Sequence, residues 1–159
     1  MDLRLRLRAL PATLAVLVGV LLGAGAVTAW YAEASSYLSN DPEACVNCHI
    51  MREQYDGWVK GPHQDAATCN DCHTPHGLVT KWYGKARNGY SHSRAFTLQD
   101  FPEPIRITEH NAEVLQENCV DCHRDFVNDV LGTARPPADH PEQPECVHCH
   151  RDAGHGPVF

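Results

Sequence analysis

The stretch "CVNCHIM", Cys45–Met51, holds two cysteines three apart with a histidine directly after them, followed two residues later by a methionine. A C-x-x-C-H run is the pattern that attaches a c-type haem: two thioethers grip the porphyrin edge and the histidine reaches the iron. On a helix Cys45, Cys48 and His49 fall at i, i+3 and i+4 and project from one face. Met51 offers the iron a second ligand of a softer kind. At about 100° per residue, a continuing helix points Met51 roughly 200° away from His49. The two therefore cannot both bind one iron, and they cannot sit on opposite faces of one porphyrin. One of them is expected off the iron; the bland use of Met51 is packing at the membrane end of the domain.

The pattern recurs at Cys69/Cys72/His73, Cys119/Cys122/His123 and Cys146/Cys149/His150, and these copies consume all eight cysteines. Zinc knuckles and disulfides also use C-x-x-C, but a histidine after every pair and no spare cysteine favour four covalently attached haem c groups. Bacteria form such thioethers outside the cytoplasm, so the cysteine usage points to an exported domain.

The N-terminus agrees. Arg4, Arg6 and Arg8 precede a run from Ala9 to Ala32 without a charged residue, long enough for the roughly 20 apolar residues of a membrane helix. The arginines are expected to stay in the cytoplasm. The rival is a cleaved signal peptide, for which "AGA" at Ala24–Ala26 has suitable residues. A signal core is only about 7–15 residues long, whereas this run continues to Trp30 and Tyr31, which suit a membrane interface. The expected organisation is a cytoplasmic stub and single-pass anchor over residues 1–32 and a periplasmic tetrahaem domain over residues 33–159. A net charge of −7 disfavours nucleic acid, which wants a basic surface.

The expected fold is mainly α with much irregular loop. Asn40 or Asp41 caps a helix with Pro42 in its first turn, carrying the first motif. "TPHGLVTKWYGKARNGYSHS" is a second helix with Leu78, Val79, Trp82, Tyr83, Ala86 and Tyr90 on its apolar side. "FPEPI" interrupts the chain, a third helix runs from about Asn111 to Leu131 and closes at Gly132, and "RPPADHPEQPE" is a proline-rich loop before the fourth motif. Residues 33–159 are a thin coat for four porphyrins, so the porphyrin faces must supply the apolar core and the haems must lie close together.

Four irons have eight axial positions. Beyond the motif histidines stand His63, His76, His92, His110, His140, His148 and His155, so composition alone leaves the assignment open. His148 lies inside a motif loop and reads as solvent-facing. His155 is too near His150 in the chain for both to clamp one iron.

The anchor, "CVNCHIM", "GPHQDAATCNDCHTPH", "KWYGKARNGY", the third motif and the closing "CVHCHRDAGH" together resemble the NapC/NirT family of membrane-anchored multihaem quinol dehydrogenases, most of all its branch of nitrite reductase small subunits. The resemblance implies Met51 on the first iron and His49 off it, with a thioether that raises the potential and an open face for quinol. It implies His73 with His155 on the second haem and His123 with His63 on the third. The fourth has His150 and a lysine donated by a catalytic multihaem reductase, the expected partner; His110 and His140 remain internal rivals. The family also places a lysine and an aspartate at the quinol site.

At the aspartate position stands Asn88, whose amide takes no proton at ordinary pH. Lys81, Lys85, Asn88 and His92 nevertheless fall at i, i+4, i+7 and i+11, one polar stripe on a helix. Either it is a solvated face, or Lys81 or Lys85 binds the quinol oxygen and His92 takes the proton. The resemblance implies electrons passing from the membrane quinol pool, menaquinol included, through the haems to an ammonia-forming cytochrome c nitrite reductase. A nitrate or N-oxide reductase is the alternative recipient. A terminal oxyanion reductase would need an open iron ringed by basic residues, and the region of the fourth motif offers Arg135 and Arg151. A passive anchor would need no polar stripe.

The length of the uncharged run predicts that the anchor is retained: the mature protein should purify with membranes, and N-terminal sequencing should not begin after Ala26.

Overall fold

A computed structural model describes residues 3–131 and 145–156. All of the regular structure among these residues is helical. The first helix, α1, runs Leu3–Tyr31, and its segment Leu10–Tyr31, with a mean hydropathy of 2.2, is long and apolar enough to cross a membrane. The chain divides into two compact units, Met1–Ser36 and Tyr37–Phe159.

Short 3-10 segments follow at Ala34–Leu38, where the division falls, and then at Pro42–Asn47 and His49–Met51, before α2, Arg52–Val59. The single helix expected through the first motif is therefore broken. Asp41 does cap its start, accepting from the Glu43 N–H at 3.0 Å with Pro42 behind it, but Cys48 is extended (φ −88°, ψ 108°). In a 3-10 turn successive side chains advance about 120°, so His49 and Met51 diverge by about 240° rather than 200°.

The second motif has its own helix, α3, Cys69–His73, started by a capping box in which Thr68 and Asp71 bond reciprocally. This satisfies N–H groups that a helix start leaves bare. Helix α4 covers Leu78–Leu98, starting four residues later and ending five residues later than the expected segment, and ends on Gln99 in the left-handed region (φ 53°). The third expected helix is two: α5, Glu109–Cys122, and α6, Arg124–Leu131, parted by His123, whose backbone leaves helical geometry (φ −105°, ψ 23°). That break re-aims the motif histidine relative to its cysteines. Helix α7, Cys146–Cys149, carries the fourth motif. Gly132, most of the proline-rich loop and His140 lie outside the described residues.

The motif-bearing elements pack in chain order. The Pro42–Asn47 turn lies on α3, α3 on α5, and α5 on α7. Two buried side-chain bonds hold the middle joint: Asn118, 5% exposed, donates to the carbonyls of Cys72 (2.9 Å) and Thr74 (3.0 Å). The next joint is closed by Gln116, whose Oε1 accepts from the Cys146 N–H at 2.9 Å. Among the described residues the buried apolar core is Val114 alone. A domain of this size cannot fold on one buried valine, so its apolar contacts must come from groups the cysteines hold.

Helix α4 inverts its expected amphipathicity. Leu78, Val79, Trp82, Tyr83 and Tyr90 are exposed, and so is Ala86, while Gly84 and Lys85 are buried. Along the polar stripe Lys85 is buried, Lys81 and Asn88 are half-buried and His92 is exposed.

Replacing Asn118 by alanine should strand two buried carbonyls at the joint between α3 and α5. The loss should be about 1–3 kcal/mol, read as a lower denaturant midpoint with an unchanged slope.

Candidate functional site

The cysteines sit as the packing of their elements requires. Cys45 and Cys69 face one another, Cys72 and Cys119 lie together with Cys122 close by, and Cys119 lies near Cys146. Neighbouring attachment points thus follow one another from the first motif to the fourth. An open cleft of about 600 Å³ beside the third motif is lined by residues 121–126, including Cys122, His123 and Phe126.

Four histidines from distant parts of the chain meet in two pairs. The rings of His73 and His155 are nearly parallel at 16°, centroids 6.2 Å apart, and those of His63 and His123 lie edge to face at 88°, centroids 6.0 Å apart. An imidazole nitrogen binds a metal at about 2.0–2.1 Å, so two imidazoles gripping one ion from opposite sides have centres about 6.3 Å apart. Both pairs therefore fit a haem iron.

The tautomers fit as well. A carbonyl oxygen only accepts, so the contacts of His63 Nδ1 with the Ala153 carbonyl (2.6 Å) and of His155 Nδ1 with the Gly156 carbonyl (3.2 Å) put the proton on Nδ1. Nε2 is left with its lone pair, the form that binds metals. His73 is held neutral: burial, and then the neighbouring His155, push it down to about 4.

Two glycines bring the C-terminal strap this close. A Cβ on Gly57 would collide with the carbonyl of His155, and one on Gly61 with the carbonyl of Gly154. The end of α2 and the turn after it thus lie directly on the backbone of residues 154–155. Trp58 Nε1 donates to the Ala67 carbonyl (3.0 Å) and folds the His63 loop back over α2.

Beside the first motif the carbonyl of Ser39 gathers three elements. Lys85 Nζ donates to Ser39 O (2.6 Å) and Asn40 Oδ1 (3.0 Å), and Asn70 Nδ2 donates to the same two atoms (3.2 and 3.3 Å). Lys85 is 6% exposed, and burial, with the charge of Lys81 adding to it, pushes its ammonium below the usual lysine range. An ammonium has three donors; two are engaged with Ser39 and Asn40, and Nζ also lies over the Trp82 ring, 5.5 Å from its centre. Asn88 accepts from Asn111 Nδ2 (3.3 Å). His92 Nδ1 lies 2.9 Å from the Tyr37 hydroxyl, and burial lowers its pKa. Lys81 is half-buried; burial raises Asp71, but Thr68, Lys81 and His76 outweigh it and hold that carboxyl below its usual range.

The remaining candidates lie apart. His49 and His150 are exposed and Met51 is half-buried. His110 lies 3.8 Å from the Glu113 carboxylate on the surface. His76 Nε2 donates to the Asp71 carbonyl (2.8 Å), and His148 is exposed as expected. Tyr37, Ser39 and Asn118 were missed by sequence reasoning. Only the position of Asn118 directly before a motif cysteine could have signalled any of the three.

The profile of the NapC/NirT cytochrome c family, N-terminal region, matches residues 7–158. The chain belongs to that family. Its cysteines accordingly carry covalently bound haem c. It is 45% identical over 103 residues to the cytochrome c-type protein NrfH of Wolinella succinogenes, covering 64% of this chain and 58% of that one. To the cytochrome c nitrite reductase subunit NrfH of Nitratidesulfovibrio vulgaris it is 34% identical over 108 residues, 68% of this chain and 66% of that one. The matched stretches thus span a little under two thirds of these relatives' own length. A solved structure of the cytochrome c nitrite reductase NrfHA complex bound to the HQNO inhibitor contains a chain that superposes with a TM-score of 0.64 at 28% identity, over 89% of this chain and 90% of that one.

Gly57→Ala should push the strap off α2 and loosen the His73/His155 pair. The low-spin haem spectrum of the variant should show one partly high-spin haem; an unaltered spectrum would mean that the close approach does not position His155.

Proposed function

We propose that this chain is a membrane-anchored quinol dehydrogenase whose four haem c groups, on the periplasmic side, pass electrons to an ammonia-forming cytochrome c nitrite reductase. The observation that carries the reading is the stripe of Lys81, Lys85, Asn88 and His92 beside the first motif, buried at Lys85 and open to solvent at His92, from which the other motifs lead away in order. The likeness to the nitrite reductase subunits supports the choice of recipient.

Haem c, when bound, supplies one-electron transfer. The protein's share is to hold, orient and manage protons. The eight cysteines fix the porphyrins. His73 with His155 and His63 with His123 are read as the axial ligands of the second and third haems, supported by the ring spacings and by Nδ1 bonds that leave Nε2 free. Met51 is read as ligand of the first iron, with His49 off it, and His150 as ligand of the fourth, completed by a lysine of the reductase. That lysine would couple docking to electron exit.

At the quinol end, Lys85 has its position set by Ser39 and Asn40 and is read as donating its third N–H to a quinol oxygen. Asn88 is an amide already engaged with Asn111, and cannot take the proton that leaves. His92 is the base on the same face.

Mass spectrometry of the intact protein should find four haems per chain. Reconstituted with nitrite reductase, the protein should oxidise quinol and support nitrite reduction. Met51→Ala should alter the first haem's spectrum and slow quinol oxidation, while His49→Ala leaves ligation intact. Lys85→Ala should slow quinol oxidation about 10- to 100-fold, the worth of one charge-assisted hydrogen bond, with reduction by dithionite unchanged. Normal quinol oxidation in both the Met51 and Lys85 variants would remove the proposed site.

A further inference from the structure

We infer that Tyr37 positions His92 as the base of quinol oxidation, His92 taking a proton from the quinol while Tyr37 orients its imidazole, an assignment that rests on the quinol reading above. The Tyr37 hydroxyl lies 2.9 Å from His92 Nδ1, with the two rings 6.1 Å apart. The contact joins residues 55 apart in sequence, so neither helix geometry nor chain proximity accounts for it. Tyr37 lies against α4 at Gly89, where a Cβ would come to 3.4 Å from the phenol ring. The ring thus sits flat on the backbone one turn before His92, and a larger residue there would crowd it. On its other side Tyr37 adjoins the first motif. Burial holds its phenol above the usual tyrosine range, so it stays protonated and uncharged.

The arrangement has the logic of a base oriented by a third group. For Nε2 to accept a proton, Nδ1 must carry one, and it then donates to the Tyr37 oxygen, which fixes both tautomer and ring orientation. When Nε2 is protonated that bond becomes charge-assisted and strengthens. His92 is exposed and can hand its proton to water.

The spacing along α4 suits a 1,4-quinol. Lys85 and His92 are seven residues apart on one face, their Cα atoms separated by about 10.5 Å along the axis, a span along which a quinol can lie between the two side chains. A 1,4-quinol with a hydrogen bond at each hydroxyl measures about 11 Å from donor to acceptor. Lys85 then donates its third N–H to one oxygen, steadying the negative charge that develops there, while His92 faces the hydroxyl at the other end. That O–H bond breaks to Nε2. The hydroxyl at the Lys85 end releases its proton to water, and the two electrons leave singly to haem c, so that one quinol yields one quinone, two protons and two electrons.

The test uses the full-length, haem-loaded protein in lipid vesicles. Tyr37→Phe keeps the ring on Gly89 and removes only the hydroxyl. It should lower kcat for quinol about tenfold, with KM and HQNO affinity within twofold of the parent. His92→Ala should lower kcat by about 100-fold, in the range of lost general-base catalysis, and added imidazole should restore part of it. Redox difference infrared spectra of the parent should carry a tyrosine band on quinol addition that disappears in Tyr37→Phe. If both variants keep kcat within twofold and show no imidazole effect while Lys85→Ala is slow, the pair is structural, the inference is wrong and the quinol site stands. If Lys85→Ala is normal as well, the quinol site itself is wrong.

Discussion

Segments far apart in the chain are brought together by their histidines. His63 meets His123, and His73 meets His155, across loops of about 60 and 80 residues. Closing such loops costs entropy, and a side-chain core that among the described residues amounts to Val114 cannot offset it. The contacts that can are those with the covalently held haem c, whose porphyrin faces are apolar. Folding and cofactor insertion are then one process, as they are wherever the binding of a prosthetic group is also folding energy.

The backbone serves that clamp in several places. Gly57 and Gly61 let residues 154–155 lie directly on the end of α2, and the Ala153 carbonyl orients His63 through its Nδ1 proton. The strap therefore supplies one member of one pair and aligns a member of the other. The break at His123 lies at a member of one pair, where a motif histidine carried on a straight helix would keep the direction its cysteines impose.

The other end of the domain is organised by polar groups. Lys85 and Asn70 converge on Ser39 and Asn40, so that the chain leading to the first motif, the helix of the second motif and α4 share one hydrogen-bonded node. Burying a lysine costs desolvation, and Lys85 offsets only part of it with two hydrogen bonds and a place over the Trp82 ring, 5.5 Å from its centre. Its position is suited to holding a substrate oxygen. The apolar side chains of α4, including Tyr83 and Tyr90, face outward in exchange.

The haem motifs, their number, the anchor and the polar stripe were legible in the sequence, because covalent attachment needs fixed local spacings, a membrane helix needs an uninterrupted apolar run, and a stripe is a matter of period. The family resemblance suggested that His63 stands with His123 and His73 with His155, and the rings of each couple do lie close, though nothing local to His63 or His155 could have signalled it. Which way α4 turns was misread: hydrophobic periodicity assumes that apolar residues face a side-chain core, and this domain has almost none. The helix breaks at Cys48 and His123 were invisible too, since neither residue is a glycine or proline. Tyr37 beside His92, Ser39 as a node and the seating of the strap on Gly57 were decided only in the tertiary structure, where residues with no pattern between them in the chain are brought within a hydrogen bond or a van der Waals contact of one another.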